Sequence, residues 1–292
     1  MNKNFNKGLI LTSLGSFWWG FIGVIYFEYV SFIGHIELVV HRCLWTAVML
    51  IITTTILSKW KLFLKIGSNL KNLLGLFLSG LLIFINWAIW IYAVATDRII
   101  DASFGYFIMP ILSVLLGYIF FKENLNNKKI ISILLVLISI FILIFFSYKS
   151  IPWVGLIVAF SWAFYNLVRK KINIDTDIGL LIESLFIFPF ALVVFYLIFK
   201  NNLNDFNFTN PGLSLLLVLA GPMTVIPLFL YVRGVELIGL GPTGMIFYIT
   251  PTLQFILGYF YYNEDFSLIK FVSFIIIWIA VIIYLRDLYE TN

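Results

Sequence analysis

Two adjacent ionisable residues lie inside an apolar stretch of the sequence. His41 and Arg42 belong to "IELVVHRCLWTAVMLIITTTIL", which begins at Ile36. A charged side chain at the centre of a bilayer costs about 2.5–3.5 kcal/mol on insertion scales, so intramembrane charges usually face protein or a water-filled cavity. Both residues are therefore candidates for substrate binding or ion coupling. The alternatives are structural, because Arg42 can extend to the membrane surface and His41 can be neutral in the core.

A third ionisable residue, Glu183, coincides with Arg42 when the sequence is shifted against itself by 141 residues. Arg42 and Glu183 are each about 9 Å from opposite ends of their apolar runs, at about 1.5 Å per helical residue. In a hydrocarbon core of about 30 Å, this leaves about 12 Å between them along the membrane normal. We expect them to form the polar ends of one cavity. Such a cavity suits a zwitterion such as an amino acid, with Arg42 attracting its carboxylate and Glu183 an ammonium group or a coupling proton.

The composition indicates the environment of these residues. Of the 292 residues, 62% are hydrophobic and only 11% are charged, whereas an average soluble domain is about 25% charged. Apolar runs of about 20 residues, the length that crosses a bilayer as a helix, recur along the chain. We predict an all-α integral membrane protein with ten transmembrane helices, at residues 8–28, 36–57, 72–95, 101–121, 130–147, 152–169, 177–199, 212–234, 240–262 and 267–286.

The charge distribution predicts the orientation of these helices. A net charge of +5 would suggest nucleic-acid binding in a soluble protein, but here Lys and Arg lie mostly between the apolar runs. With ten spans and a cytoplasmic N-terminus, most of them fall in cytoplasmic segments, as the positive-inside rule requires. We therefore predict both termini in the cytoplasm, the lipid bilayer as a partner and no nucleic-acid partner. The first apolar run is predicted to be a retained helix, because it is longer than the apolar region of a signal peptide.

The sequence contains an internal repeat. The 141-residue shift places "IMPILSVLLGYIFFKE" (108–123) on "ITPTLQFILGYFYYNE" (249–264), and it matches Pro110 with Pro251, Gly117 with Gly258, and Glu123 with Glu264. We predict two five-helix repeats, 1–148 and 149–292. Because five is odd, the second repeat must be inverted relative to the first. Inverted repeats are typical of secondary transporters, whose substrates bind near the midplane between the repeats.

Further candidates carry hydrogen-bonding or aromatic side chains. Asn86 can both donate and accept hydrogen bonds. A proline leaves a backbone carbonyl without its intrahelical partner, so bends are predicted at Pro110, Pro227 and Pro251. An aromatic wall that binds a flat or cationic group is predicted from Trp18, Trp19, Trp87, Trp90, Tyr92 and Tyr106, with packing as the alternative for each. The ninth span adds Tyr248, Thr252 and Gln254 to the candidate binding residues.

Several classes of function are disfavoured. The chain has no GxxxxGK[ST] nucleotide-binding motif, and two histidines and one cysteine form no metal-ligand pattern, so we predict no metal and no cofactor. A lipid-acting membrane enzyme would need clustered nucleophiles or acids near one face, and only scattered ones occur. We predict a secondary transporter or facilitator that is not an enzyme, moves a small polar or amphipathic metabolite by alternating access, and functions as a monomer. A multidrug or organic-cation exporter with an aromatic cavity is the alternative.

The sequence also resembles a known family. "HRCLW", "NWAIWIYAV", "ASFGYFIMPILSVLLGYIFFKE" and "PTLQFILGYFYYNE" are similar in order to segments of the RarD proteins, which belong to the EamA branch of the drug/metabolite transporter superfamily. The resemblance implies ten helices in two inverted repeats and transport of small organic solutes across the bacterial inner membrane. Three polar residues usual in RarD proteins are replaced here by Ala95, Met109 and Phe247.

Overall fold

The computed structural model describes residues 3–95, 99–147, 153–207, 209–261 and 268–291, and every regular element among them is helical. The α-helices in chain order are α1 (Lys3–Phe17), α2 (Gly23–Tyr29), α3 (His35–Ile56), α4 (Trp60–Gly67), α5 (Leu70–Ala95), α6 (Ile99–Phe121), α7 (Asn127–Ser147), α8 (Trp153–Ile172), α9 (Thr176–Lys200), α10 (Pro211–Ile238), α11 (Leu240–Ile246), α12 (Ile249–Phe260) and α13 (Leu268–Thr291).

Helical segments cover all ten predicted spans, but not all of them are long and apolar enough to be assigned as membrane crossings. Within the described ranges, seven helices meet that requirement: Lys3–Tyr29, His35–Ile56, Leu70–Trp90, Asn127–Phe146, Thr176–Lys200, Pro211–Ile238 and Leu268–Glu290. A shorter apolar helix covers Gly105–Phe121. The protein is therefore a multi-pass helical membrane protein, and the count of ten crossings stays a prediction.

The first helix is interrupted by a π-helical turn between α1 and α2, at Trp18–Ile22. The Gly23 amide donates to the Trp18 carbonyl, so one turn contains an extra residue. Such π turns are found frequently at functional sites. Here the turn sets the direction of two adjacent tryptophans, Trp18 and Trp19.

The ninth predicted span is two helices, because α11 and α12 are separated at Phe247 and Tyr248. Pro251 has no amide hydrogen to donate to the Phe247 carbonyl four residues earlier. That carbonyl instead accepts from the Thr250 amide (2.9 Å), which is a tighter turn than an α-helix allows. The break therefore follows from the position of Pro251.

The start of α11 is held by Glu123, which follows α6. Its carboxylate accepts hydrogen bonds from the amides of Leu240 (2.8 Å) and Gly241 (2.9 Å) and pairs with Lys170 Nζ (2.9 Å). A carboxylate is favourable there, because the first amides of a helix have no intrahelical partner. Gly239 has φ of +98°, and a Cβ at this position would collide with the Glu123 carboxylate, so glycine is needed there.

The irregular turn of the first helix packs directly against α12. The Thr250 hydroxyl donates to the Ser16 carbonyl (2.9 Å). A Cβ added at Gly20 would lie 2.8 Å from the Thr250 carbonyl oxygen and 2.9 Å from its Cα. The absence of a side chain at Gly20 thus permits the two backbones to meet.

Replacing Gly20 with alanine will force these two backbones apart. We expect the free energy of unfolding in detergent to fall by about 1–3 kcal/mol, the usual cost of overpacking. Gly34→Ala is the matched control, because nothing lies within 4 Å of a Cβ at that position, and its effect should stay within about 0.5 kcal/mol. Equal unfolding free energies for the two variants would contradict the close contact.

The remaining packing brings α3, α5, α8, α9 and α10 around one core. α1 packs on α10, α8 packs on α5 and α6, and α3 packs on α9 and α10, while α7 packs on α13 and α6 on α11. The largest buried apolar cluster includes Leu50, Trp87, Leu181 and Val225. The candidate residues for chemistry lie in and around this cluster.

Candidate functional site

Arg42 lies on α3 with its guanidinium close to two aromatic rings. Its Nε donates a hydrogen bond to Thr224 Oγ1 on α10 (2.9 Å). Its guanidinium carbon is 5.1 Å from the centre of the Phe27 ring and 4.7 Å from that of Trp87. Aromatic faces attract cations, but they carry no charge that would neutralise one. In the described part of the chain Arg42 has no ion pair, and it is partly exposed, so its charge is oriented but not neutralised.

His41 is buried beside Glu37, which binds the connection between α9 and α10. The Glu37 carboxylate accepts hydrogen bonds from the amides of Asp205 (2.9 Å) and Phe206 (3.1 Å). His41 Nδ1 accepts from Trp45 Nε1 (3.1 Å), which assigns the ring proton to Nε2, 3.5 Å from a Glu37 oxygen. The His41 ring packs on Phe206, with 4.9 Å between ring centres. These contacts give His41 a packing role, and its role in coupling stays a prediction.

Replacing Glu37 with alanine will leave the Asp205 and Phe206 amides without their acceptor. We expect faster hydrogen exchange at both amides and a fall of about 1–3 kcal/mol in the free energy of unfolding, the cost of an unsatisfied buried group. Glu28→Ala, at an exposed position, is the control and should change neither quantity. If exchange at Asp205 and Phe206 is unaffected in Glu37→Ala, the connection is held by other contacts.

Glu183 lies on α9 in a buried cluster of charged groups. Its carboxylate accepts hydrogen bonds from Ser79 on α5 (2.5 Å) and Tyr165 on α8 (3.3 Å). Arg169 on α8 lies between two carboxylates, with Nε 3.6 Å from Glu183 and Nη2 3.9 Å from Glu236 on α10. Charge-assisted hydrogen bonds of this kind are usually about 2.7–2.9 Å long. Arg169 is only 1% exposed, so it is deeply buried but loosely bound to both carboxylates.

The start of α9, which carries Glu183, is also bound by Lys59 in the connection between α3 and α4. Lys59 Nζ lies 3.1 Å from Asp175 and 2.8 Å from Asp177. Burial lowers the pKa of Lys59, but hydrogen bonds and attraction to the two aspartates outweigh it and raise the net pKa above 10.5. The resulting stabilisation is fully present below the ordinary lysine pKa and is lost only as the pH rises through the folded-state value. This contact is therefore intact at neutral pH.

A small enclosed cavity adjoins Glu183 between α3, α5, α9 and α10. Its volume is about 10 Å³, which is close to the minimum that holds one water molecule. The polar side chains at its wall are Thr46, Glu183 and Ser184, and Trp87 lines it as well. Among the described atoms, Thr46 Oγ1 is buried without a hydrogen-bond partner.

Trp87 is adjacent both to Arg42 and to the cavity beside Glu183. The Trp87 ring faces the Arg42 guanidinium, and the same residue lines the cavity that Glu183 adjoins. Glu183 is closest to Arg169 rather than to Arg42. The sequence analysis predicted one cavity with Arg42 at one end and Glu183 at the other. Trp87 would have to move for such a cavity to form.

Aromatic residues form a continuous cluster at the centre of the protein. Trp19 packs on Trp162 (5.1 Å between ring centres) and on Tyr231 (5.8 Å). The cluster continues through Phe247 and Tyr106, 5.8 Å apart, to Trp90. Trp19, Trp90 and Tyr106 are thus brought together as the sequence predicted. The three other members of the predicted wall lie elsewhere. Tyr92 is exposed and packs on Trp153, Trp87 faces Arg42, and Trp18 has no ring contact with this cluster among the described residues.

The remaining predicted residues hold helices together. Asn86 donates to the Val158 carbonyl (2.9 Å) and to Ser161 Oγ (3.1 Å), which binds α5 to α8. The Tyr248 hydroxyl donates to the Phe107 carbonyl (2.8 Å). Thr252 accepts a hydrogen bond from Trp278 (3.0 Å), and Gln254 is partly buried on α12. α6 continues through Pro110 and α10 through Pro227 without a break.

Comparison with known proteins decides the family. The sequence model of the EamA-like transporter family matches residues 6–145 and 149–286, which is most of the chain. The chain belongs to the EamA-like transporter family. A solved crystal structure with 13% sequence identity superposes with a TM-score of 0.67 over 94% of this chain and 96% of the other, so this EamA protein shares its fold.

Full-length relatives place this EamA protein in the RarD family. It is 36% identical over 281 residues to "Uncharacterized transporter YojE" of Bacillus subtilis, covering 95% of this chain and 93% of the relative. It is 30% identical over 290 residues to "Protein RarD" of Escherichia coli, covering 99% and 97%. YojE is named as a transporter, and neither relative's name gives a substrate.

Four residues of this EamA protein at the site were missed by the sequence analysis. Arg169 was counted only among the basic residues of the cytoplasmic segments, where a charge at a helix end normally reaches water, and Glu236 was not considered. Arg169 is deeply buried, and the side chain of Glu236 is 6% exposed. The one indication in the sequence was that Arg169 is the first of three consecutive basic residues, followed by Lys170 and Lys171. It is therefore the one nearest to the apolar run. The aromatic residues Trp162 and Tyr231 were missed because nothing distinguishes them from the other rings in so aromatic a sequence.

Proposed function

We propose that this protein is a secondary transporter or facilitator that moves a small metabolite with a carboxylate, in particular an amino-acid-like zwitterion, by alternating access. The observation that carries the proposal is the contrast between two arginines inside the protein, Arg169, which is buried, and Arg42, which is partly exposed. Arg169 lies near two carboxylates, whereas Arg42 has aromatic and hydroxyl neighbours but no carboxylate among the described residues. An intramembrane charge of this kind needs a partner. A substrate carboxylate would supply it.

The proposed architecture is two inverted five-helix repeats, with ten crossings and both termini in the cytoplasm. The two ranges that match the family model, 6–145 and 149–286, support this division. The packing also supports it. α1 packs on α10, and their counterparts in the other repeat, α8 and α5, pack on each other as well. Glu264, whose match to Glu123 helped to define the repeat, lies outside the described residues.

Two hydrogen bonds between α7 and α13 further support the repeat. Ser132 Oγ donates to the Ala280 carbonyl, and Ser139 Oγ donates to the Ser273 carbonyl (2.9 Å). Shifted by 141 residues, Ser132 coincides with Ser273 and Ser139 with Ala280. The two contacting pairs of positions therefore exchange with each other, as a two-fold relation between repeats would require, although α7 supplies the donor in both.

In this proposal Arg42 binds the carboxylate, and the aromatic cluster forms the wall against the rest of the solute. Trp87 contacts Arg42 and lines the cavity beside Glu183, so its movement would join that cavity to the substrate-binding region. Arg42 is at the outer end of the cavity in the predicted orientation, and Glu183 is at the inner end. The bacterial inner membrane is the proposed location, and the monomer is the proposed functional unit because both repeats are in one chain.

An exporter of organic cations is the second candidate, and the aromatic cluster favours it. Six rings, from Trp19 to Trp90, form a surface that attracts a flat cation. Arg42 would then be structural. The two candidates differ in the charge of the solute that they bind.

A stability screen of the purified protein tests the proposal. Thermal unfolding would be measured with amino acids, their decarboxylated amines, quaternary amines and aromatic drugs. A ligand at about 100 times its Kd stabilises by about 2.7 kcal/mol, so even weak binding is visible. Stabilisation by amino acids but not by the matching amines is the expected result. Stabilisation by amines and quaternary amines alone would favour the exporter instead.

A further inference from the structure

The cluster around Glu183 has the arrangement of a proton-binding site. We propose that Glu183 takes up and releases a coupling proton and that Arg169 replaces this proton as the counter-charge. The proposal rests on the proposed transport function, because coupling requires a solute that moves. It is carried by three observations: the cavity beside Glu183, the unpartnered Thr46 hydroxyl, and the loose position of Arg169 between two carboxylates.

The cavity leaves room for a water molecule beside the Glu183 carboxylate. It has room for about one water molecule. Thr46 Oγ1 is 2% exposed and lacks a partner among the described atoms, so it can bind such a water. Ser184 donates its own hydrogen to the Leu180 carbonyl (2.8 Å), which leaves its oxygen free to accept. A carboxylate next to a bound water is a suitable group for proton transfer.

The summed charge of Arg169, Arg233, Glu183 and Glu236 is zero when the Glu183 carboxylate is ionised. Asp175 also attracts Arg169, and it shares Lys59 with Asp177. The polar groups that face Glu183 or its partner Arg169 come from all the packed helices: Thr46 of α3, Ser79 of α5, Tyr165 and Arg169 of α8, Ser184 and Thr176 of α9, and Glu236 of α10, which pairs with Arg233. Arg169 and Arg233 balance Glu183 and Glu236. A proton on Glu183 therefore leaves an extra positive charge on a buried arginine.

Arg169 is placed to respond to that charge change. Its Nε and Nη1 have no hydrogen-bond partner among the described atoms, and Glu236 lies 3.9 Å from its Nη2. When a proton forms an O–H bond on Glu183, Arg169 loses its attraction there and moves toward Glu236. When the proton leaves to water, Arg169 returns. Each exchange moves α8 relative to α9 and α10, which is the kind of motion that alternating access needs.

A proton fits this site better than a metal cation does. Arg169 already places a positive charge 3.6 Å from the Glu183 carboxylate, and it would repel a second cation. Ser79 and Tyr165 donate hydrogen bonds to the same carboxylate, so two of its lone pairs are in use. A proton needs only one free lone pair.

Infrared difference spectroscopy tests this directly, with protons as the only added ligand. The full chain in lipid nanodiscs would be titrated from about pH 8 to about pH 5, a range that covers most protein proton switches. We expect a carbonyl band of a protonated carboxyl group to appear in the wild type, to vanish in Glu183→Gln and to persist in Glu236→Gln. A band that persists in a folded Glu183→Gln, or is absent from the wild type, would overturn the proposal.

A second variant covers the case in which Glu183→Gln does not fold. Ser79→Ala removes a hydrogen bond to the ionised carboxylate only, so the midpoint of the band should move to higher pH by about one unit. An unchanged midpoint would indicate that the band does not come from Glu183. Since the titration uses no solute, a chain that moves no solute can still show the band. A working transporter without the band would refute the coupling role alone.

Discussion

Replacing Arg42 with methionine will lower amino-acid binding by about 100-fold or more, while the protein stays folded. The loss corresponds to about 3 kcal/mol, the usual cost of removing one member of a buried charge pair. Methionine keeps much of the side-chain volume between Phe27 and Trp87 but cannot bind a carboxylate. Because Arg42 has no carboxylate partner among the described residues, its removal leaves no unpaired anion behind. Thermal-shift titration of the purified variant measures the effect.

The control for this prediction is Arg286→Met, which removes a positive charge at a position that is 78% exposed. Its affinity should equal that of the wild type. A matched pair of solutes adds a second control, since a decarboxylated amine should bind equally weakly to Arg42→Met and to the wild type. If Arg42→Met binds amino acids as the wild type does, Arg42 is structural.

Arg169→Met will mainly lower the free energy of unfolding, whereas Arg42→Met mainly lowers the affinity for the solute. Removing this arginine leaves Glu183 and Glu236 buried without their shared cation. Breaking a buried ion pair in this way usually costs about 3–5 kcal/mol. We therefore expect a large fall in the free energy of unfolding, measured by denaturant titration in detergent micelles. Arg42→Met should cost far less, because no carboxylate depends on it in the described structure.

A double variant identifies the cause of that loss. Glu183→Gln added to Arg169→Met removes the unpaired anion, so part of the lost stability should return. Glu236 keeps Arg233, 2.7 Å away, and should need no further change. If the double variant is no more stable than Arg169→Met, the loss comes from packing around Arg169 rather than from charge.

More of the fold than of the candidate site could be predicted from the sequence. Long apolar runs define helices almost by themselves, because a backbone in lipid must satisfy its own hydrogen bonds. The breaks in the helices were harder to predict from the sequence. Pro251 was recognised as a breaking residue, but the π turn at Trp18–Ile22 has no comparable signal, since it depends on contact between Gly20 and α12.

The site shows where sequence reasoning stops. Arg42 was found because an arginine inside an apolar run is conspicuous. Arg169 was not, because an arginine at the end of a run looks the same whether it reaches water or turns inward. Only packing decides this, and here α8 lies against α5 and α10 so that Arg169 is buried beside Glu183. The depth argument disfavoured a direct bond between Arg42 and Glu183, but it could not identify Arg169 as the cation nearest to Glu183.

Solute exchange in proteoliposomes is the most direct test of carboxylate binding at Arg42. Vesicles containing the protein would be loaded with a mixture of unlabelled amino acids, and the entry of labelled amino acids would be followed with and without competing amines. We predict saturable exchange in the wild type that amines do not inhibit, and none above empty vesicles in Arg42→Met. Equal exchange by both proteins, or exchange that amines inhibit as well as amino acids do, would contradict it.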